Sequence, residues 1–178
     1  MSYDKLTSLM ANVEAIETAV NIHVQGRTAT TDEKEILSRY SGFGGIKEVL
    51  NIGTDNPVTD NMAEPLNRLE KALRTWTGED ETMYRTLVES IKASVLTAFY
   101  TPPFIVEAVA RQIHDTFKQN GLQMRSLLEP SAGIGGFLPV AMSDTHSYAF
   151  EKDCITGLIL SFLHDDTDTV TAGFETIG

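Results

Sequence analysis

The stretch Leu127–Phe137, LLEPSAGIGGF, sets a carboxylate, Glu129, just ahead of three glycines, Gly133, Gly135 and Gly136. The apolar run before Glu129 predicts a buried strand ending at that acid, and the residues after the glycines predict a tight turn that opens a helix. Glycines between a strand and a helix let the backbone turn sharply and pass close to a ligand. Open parallel sheets bind ligands beyond the carboxyl ends of their strands, which is where Glu129 falls. A second acid, Glu151, closes the next predicted strand 22 positions later, where a carboxylate can accept both hydroxyls of a ribose. Two carboxylates beside a bare backbone describe a pocket for a cationic nucleoside.

The alternative ligand for such a loop is a dinucleotide, whose fingerprint needs Gly-x-Gly-x-x-Gly. The sequence runs GIGGFL instead, with Leu138 where the third glycine should fall. Glu129 would repel a pyrophosphate, whereas it attracts an amino group and tolerates a sulfonium. The charge logic favours S-adenosyl-L-methionine over NAD.

LLEPSAGIGGF resembles the first motif of S-adenosylmethionine-dependent DNA adenine-N6 methyltransferases, AFEKD resembles their second and TAGFE their third strand region. LTAFYTPPFIVEAV is similar to the motif that these enzymes carry at the amino end of the fold, in the gamma-type order. SRYSGFGG, followed by these segments, resembles the amino-terminal methylase region of large methylase-helicase proteins of mobile elements. The likeness is specific over residues 95 to 178 and loose over 36 to 50. It implies that Glu129 holds the methionine amino group and that Gly133 and Gly135 let the backbone pass beside the cofactor, with Pro130 and Ala132 in the same loop. It further implies that Glu151 takes the ribose hydroxyls, that Lys152 flanks the adenine, that Tyr100, Thr101 and Pro102 close the methionine end, and that Gly173, Phe174 and Glu175 lie near the adenine.

One segment imitates a catalytic motif. TPPF, Thr101 to Phe104, differs by one side chain from the Asp/Asn-Pro-Pro-aromatic box with which amino-methylating enzymes grip a base. That box needs a carbonyl oxygen to accept hydrogen bonds from the exocyclic amine, and threonine offers none. Thr101 also lies 28 residues before Glu129, whereas the gamma-type order places the box after the fourth strand. No other such box occurs in the sequence, so no catalytic residue is assigned, and the expectation is the amino-terminal piece of a longer enzyme.

Other features have plainer readings. SGFGG, Ser41 to Gly45, lacks the Gly-Lys-Ser/Thr of a phosphate loop, because Ile46 separates Gly45 from Lys47, and a structural turn is expected. His23, His114, His146 and His164 show no metal-ligand spacing, so no metal site is expected. Cys154 follows Asp153 at a predicted helix start and is read as a packed small side chain. HDDTD, His164 to Asp168, does not have the spacing of a calcium loop. The region of Trp76 suits either a core or a partner.

These residues need a scaffold, and the sequence outlines one. Leu6, Leu9, Met10, Val13, Ile16 and Val20 predict a helix from about residue 3 to 24. A second helix is expected from Thr31, without a strict capping box, ending at SGFGG. A surface loop is expected over Asn51–Asn61 and helices over roughly 62 to 76 and 79 to 94. From Pro102 an amphipathic helix is predicted with Ile105, Val106, Val109, Ile113 and Phe117 inward, stopped by Asn120-Gly121. Strands are then predicted at RSLLEP, SYAFEKD and DTVTAGFE, with helices between them, a pattern of parallel pairing.

The expected fold is therefore α/β: a helical region over 1–95, then part of a Rossmann-like, doubly wound class I methyltransferase sheet over 96–178. The 178 residues are 42% hydrophobic and 22% charged, enough for a sizeable core. A net charge of −11 provides no basic footprint for gripping a phosphate backbone, so DNA is expected to be held by parts of the enzyme outside this chain. A lone cysteine and no apolar run of roughly 18 residues make a reducing cytoplasm, and no membrane role, the expectation. A non-catalytic interaction module on a degenerate nucleotide fold and a methyltransferase acting on RNA or protein are the alternatives. Oligomeric state is not legible.

Overall fold

The computed structural model describes residues 4–55 and 58–176, and the chain divides into two compact units, Met1–Phe99 and Tyr100–Gly178. Asn56 and Pro57, within the expected surface loop, lie outside the described residues.

The first unit is helical. Helix α1, Lys5–Gln25, begins where the Asp4 carboxylate accepts the amides of Leu6 and Thr7 and ends at Gly26, whose φ of 61° relieves the last turn. Its buried positions include Leu9, Val13, Ile16 and Val20, and also Ala15, Ala19 and Ile22. Apolar side chains thus cover more than one face, and α1 packs on both α2, Thr31–Leu37, and α3, Ala63–Thr77. Helix α2 is capped one residue earlier than its sequence pattern predicts. Thr30 accepts the Glu33 amide while the Glu33 carboxylate accepts the Thr30 amide, a capping box that a start at Thr31 conceals. A single 3-10 turn, Lys47–Asn51, leads into the loop before α3, and α4 spans Glu81–Ser94.

SGFGG is a structural turn, built around one buried amide side chain. Asn12, fully buried in α1, donates to the Gly42 carbonyl at 2.6 Å and accepts the Ser41 amide at 2.8 Å. On its other flank Gly45 donates to the Val95 carbonyl at 2.9 Å. Gly44 lies so close to the chain after α4 that a Cβ there would stand 2.2 Å from the Ala98 carbonyl oxygen.

The second unit is a small α/β layer. Helix α5, Pro103–Gln119, precedes three parallel strands, β1 Ser126–Glu129, β2 His146–Phe150 and β3 Asp168–Val170, with α6, Cys154–Leu163, between the last two. The strands lie in the order β1-β2-β3, with Leu128 beside Tyr148 and Tyr148 beside Asp168. Ala149 on one sheet face joins Ala132, Leu138 and Leu160 in the core, with Leu127 against them. On the other face Leu128, Tyr148 and Val170 are exposed, while Phe150 is buried there against Phe174.

Three expectations change here. No α-helix follows the glycine loop: turns lead to a 3-10 turn, Leu138–Val140. Pro139 lacks an amide hydrogen and disfavours α conformation at Leu138, and the glycines before it add their entropic cost. The predicted inner face of α5 is mostly open, since Val106 alone of its residues is buried, while Ile105 and Val109 are exposed. Finally, β3 ends at Val170, Gly173 lies beyond it outside regular structure, and Phe174 opens a 3-10 turn.

Replacing Asn12 by alanine leaves the Gly42 carbonyl and the Ser41 amide without their buried partner. Each such loss costs about 1–3 kcal/mol. Urea unfolding is expected to show Asn12→Ala destabilised by about 2–4 kcal/mol, whereas Ser41→Ala, which keeps both backbone bonds, stays close to the parent.

Candidate functional site

Beyond the carboxyl ends of β1 and β2, Glu151 ties three segments together. One carboxylate oxygen accepts the Gly133 amide and the other accepts the Asp153 amide, both at 2.8 Å. The acid that follows β2 thereby fixes the glycine loop after β1 to the start of α6. Asp153 is itself the cap of α6, accepting the amide and hydroxyl of Thr156 at 2.7 Å. Ala132 adds a further tie, donating to the Phe150 carbonyl at 2.8 Å. Burial pushes the Glu151 carboxyl up, opposed by the two amides and assisted by the Asp153 charge.

Glu129 is different. It is 8% exposed, and one of its oxygens, Oε2, has no hydrogen-bond partner among the described residues. Burial pushes its carboxyl up to about 7, the Phe137 amide works against that shift, and the nearby Glu151 charge adds to it. Among the described residues Glu48 also has a buried oxygen without a partner, but its other oxygen faces Lys5, whereas a buried carboxylate such as Glu129, with an open oxygen and no cation beside it, calls for a hydrogen-bond donor.

The glycines make room for protein side chains. Gly133, at φ 57°, lies under the Tyr100 ring, and a Cβ there would meet Cε1 at 2.6 Å. Gly135, at φ 86°, faces the His164 ring, whose Nε2 would stand 2.5 Å from such a Cβ. Tyr100 keeps one edge open yet has its hydroxyl drawn in beside Thr156, with which it hydrogen-bonds, and burial raises its phenol above the ordinary value. At Gly136 a Cβ would meet nothing.

Of the residues singled out from the sequence, Tyr100, Glu129, Ala132, Gly133, Gly135 and Glu151 come together at these strand ends. Thr101 and Pro102 are exposed, and the Pro102 carbonyl serves the first amides of α5. Pro130 is exposed at the turn after β1. Lys152 points outward and pairs with Glu175 at 3.2 Å. Glu175 folds back over buried Gly173, where a Cβ would lie 2.3 Å from its carboxylate. Phe174 packs edge-on against Phe150 with ring centroids 5.6 Å apart. Asp153, Thr156 and His164 also belong to the site, although sequence spacing gave no reason to select them. The signal available for His164 was a polar ring just past an apolar helix. Burial, with the Asp153 charge, raises the Cys154 thiol, the opposite of the shift that activates a cysteine. Among the described residues no cluster has the makings of a metal site, and no helix is long and apolar enough to cross a membrane.

No protein-family model matches the chain, and no solved structure matches it at a significant level. The chain is similar to the Defense against restriction protein B of Escherichia phage P1, with 26% identity over 174 residues. That match takes in 98% of this chain and 5% of the phage protein, so the chain spans about one twentieth of that relative's length.

The buried Glu129 carboxyl makes stability depend on pH. Below about 4.5 the folded and unfolded chains both hold its proton. Between about 4.5 and 7 the folded chain keeps a proton that the unfolded chain has lost, so stability falls as pH rises, and above 7 the penalty is complete. Glu129→Gln is expected to raise the thermal midpoint of the ligand-free chain at about pH 8 and to leave it nearly unchanged at about pH 4. Scanning calorimetry of both proteins across that range checks this.

Proposed function

We propose that the unit Tyr100–Gly178 binds S-adenosyl-L-methionine and is the cofactor-binding portion of a DNA adenine-N6 methyltransferase, its three strands forming part of a Rossmann-like, doubly wound sheet. The observation that carries this is the unpartnered oxygen of buried Glu129 beside a glycine loop at the carboxyl ends of parallel strands. An amino acid ammonium group would give that oxygen its missing donor and hold the carboxyl in its charged form. Bound there, the cofactor supplies a methyl group on a sulfonium.

The other residues have distinct tasks on this reading. Each oxygen of Glu151 has accepted one amide and retains acceptor capacity for ribose hydroxyls. Tyr100 walls the loop at Gly133. Phe174, half-exposed beside Phe150, offers an aromatic edge for a flat heterocycle, with Lys152 and Glu175 closing the rim as an ion pair. Thr101, in place of Asp or Asn in TPPF, leaves the base-gripping step to residues outside this chain. A net charge of −11 leaves the grip on DNA to a basic surface elsewhere. Similarity to a protein named for defence against restriction supports a setting in which DNA is the substrate, because restriction acts on DNA.

A second reading, a non-catalytic interaction module, draws on the open apolar side of α5, where Phe104, Ile105 and Val109 are exposed. Calorimetric titration separates the two. S-adenosyl-L-methionine and its demethylated product are expected to bind the full chain, and Glu151→Ala is expected to weaken both by about tenfold or more, a loss of roughly 1.4 kcal/mol. No binding of either compound to the folded parent would favour the interaction module.

A further inference from the structure

We infer that His164, just beyond the carboxyl end of α6, is a positioning residue that clamps the glycine loop by holding the peptide between Ile134 and Gly135. Its Nε2 lies 2.9 Å from the Ile134 carbonyl oxygen. The amide hydrogen of the same peptide, on Gly135, donates to the Ala132 carbonyl at 2.8 Å. That peptide plane is therefore fixed at both ends, by a backbone acceptor on one side and an imidazole donor on the other. The ring also fills the space beside Gly135 that any larger residue would need, with Nε2 and Cδ2 at 2.5 and 2.8 Å from a Cβ position.

The clamp is anchored in its turn. His164 donates its own amide to Leu160, and its carbonyl accepts the Thr167 amide at 3.2 Å. Because a carbonyl can only accept, this contact requires a proton on Nε2 of the imidazole. Helix α6 then grips the loop at two points: near its start, through Asp153 and Glu151, it holds Gly133, and at its end His164 holds Ile134 and Gly135. Two residues after Gly135 comes Phe137, whose amide serves Glu129. A loop freed at His164 would therefore lose the geometry that presents both carboxylates. The role of that geometry in holding a cofactor rests on the proposed function, whereas the clamp does not.

Two variants and one ring measurement test it in the ligand-free full chain. His164→Leu keeps bulk and removes the donor, and His164→Gln restores an N–H of similar reach. Amide hydrogen exchange at Gly135 is expected to quicken roughly fivefold to tenfold in His164→Leu and to recover in His164→Gln, with α1 unchanged in both. Nitrogen NMR of the parent is expected to show the Nε2-protonated tautomer. An unchanged Gly135 rate in folded His164→Leu, or an Nδ1-protonated ring in the parent, overturns the inference; the ring measurement stands even if the leucine variant does not fold. Cofactor titration of the same proteins keeps the two claims apart: a chain that binds no S-adenosyl-L-methionine but shows His164-dependent protection retains the clamp and loses the binding assignment.

Discussion

The bridge from Glu151 to the amides of Gly133 and Asp153 is the constraint on which the site depends. Short strands of four, five and three residues cannot by themselves position loops at their ends. A carboxylate just after β2 accomplishes this by satisfying one donor in the loop after β1 and another at the start of α6. Both amides would otherwise need partners in a partly buried place. Glu129 accepts the Phe137 amide but keeps Oε2 without a partner among the described residues, so the two carboxylates acquire different characters. Glu151 is bound at both oxygens, and Glu129 keeps one of its own open.

Much of this was legible in the sequence, for physical reasons. The helical period of α1, the turn residues of SGFGG and around Asn51 and Gly121, and the alternation of short apolar runs after Gly121 located nearly every element. The position of Glu129 at a strand end followed from the apolar run before it. Other features were hidden because they are tertiary. Periodicity marked Ile105 and Val109 as inward residues, yet a helical stripe reports only that one side is apolar, and the described elements leave that side of α5 uncovered. The absence of a helix after the loop depended on how Pro139 and three glycines weigh against an apolar run, which periodicity does not measure. The capping box at Thr30 was missed by one residue.

The net charge of the chain is −11, and the two carboxylates at the strand ends, Glu129 and Glu151, share its sign. The first unit owes its order to Asn12, a buried side chain that reads two backbone groups of a distant turn. Its glycines serve close backbone packing, as Gly44 shows against Ala98.

The rings of Tyr100 and His164 give the glycine loop a second meaning. Gly133 and Gly135 are confined to glycine by their positive φ and by aromatic neighbours of the same chain. A descendant of this chain that had stopped using a ligand would still be held to glycine at both positions, because any side chain there would collide with its own fold. The glycine pattern therefore records a packing requirement of the chain itself, whereas no such packing accounts for the unpartnered oxygen of Glu129.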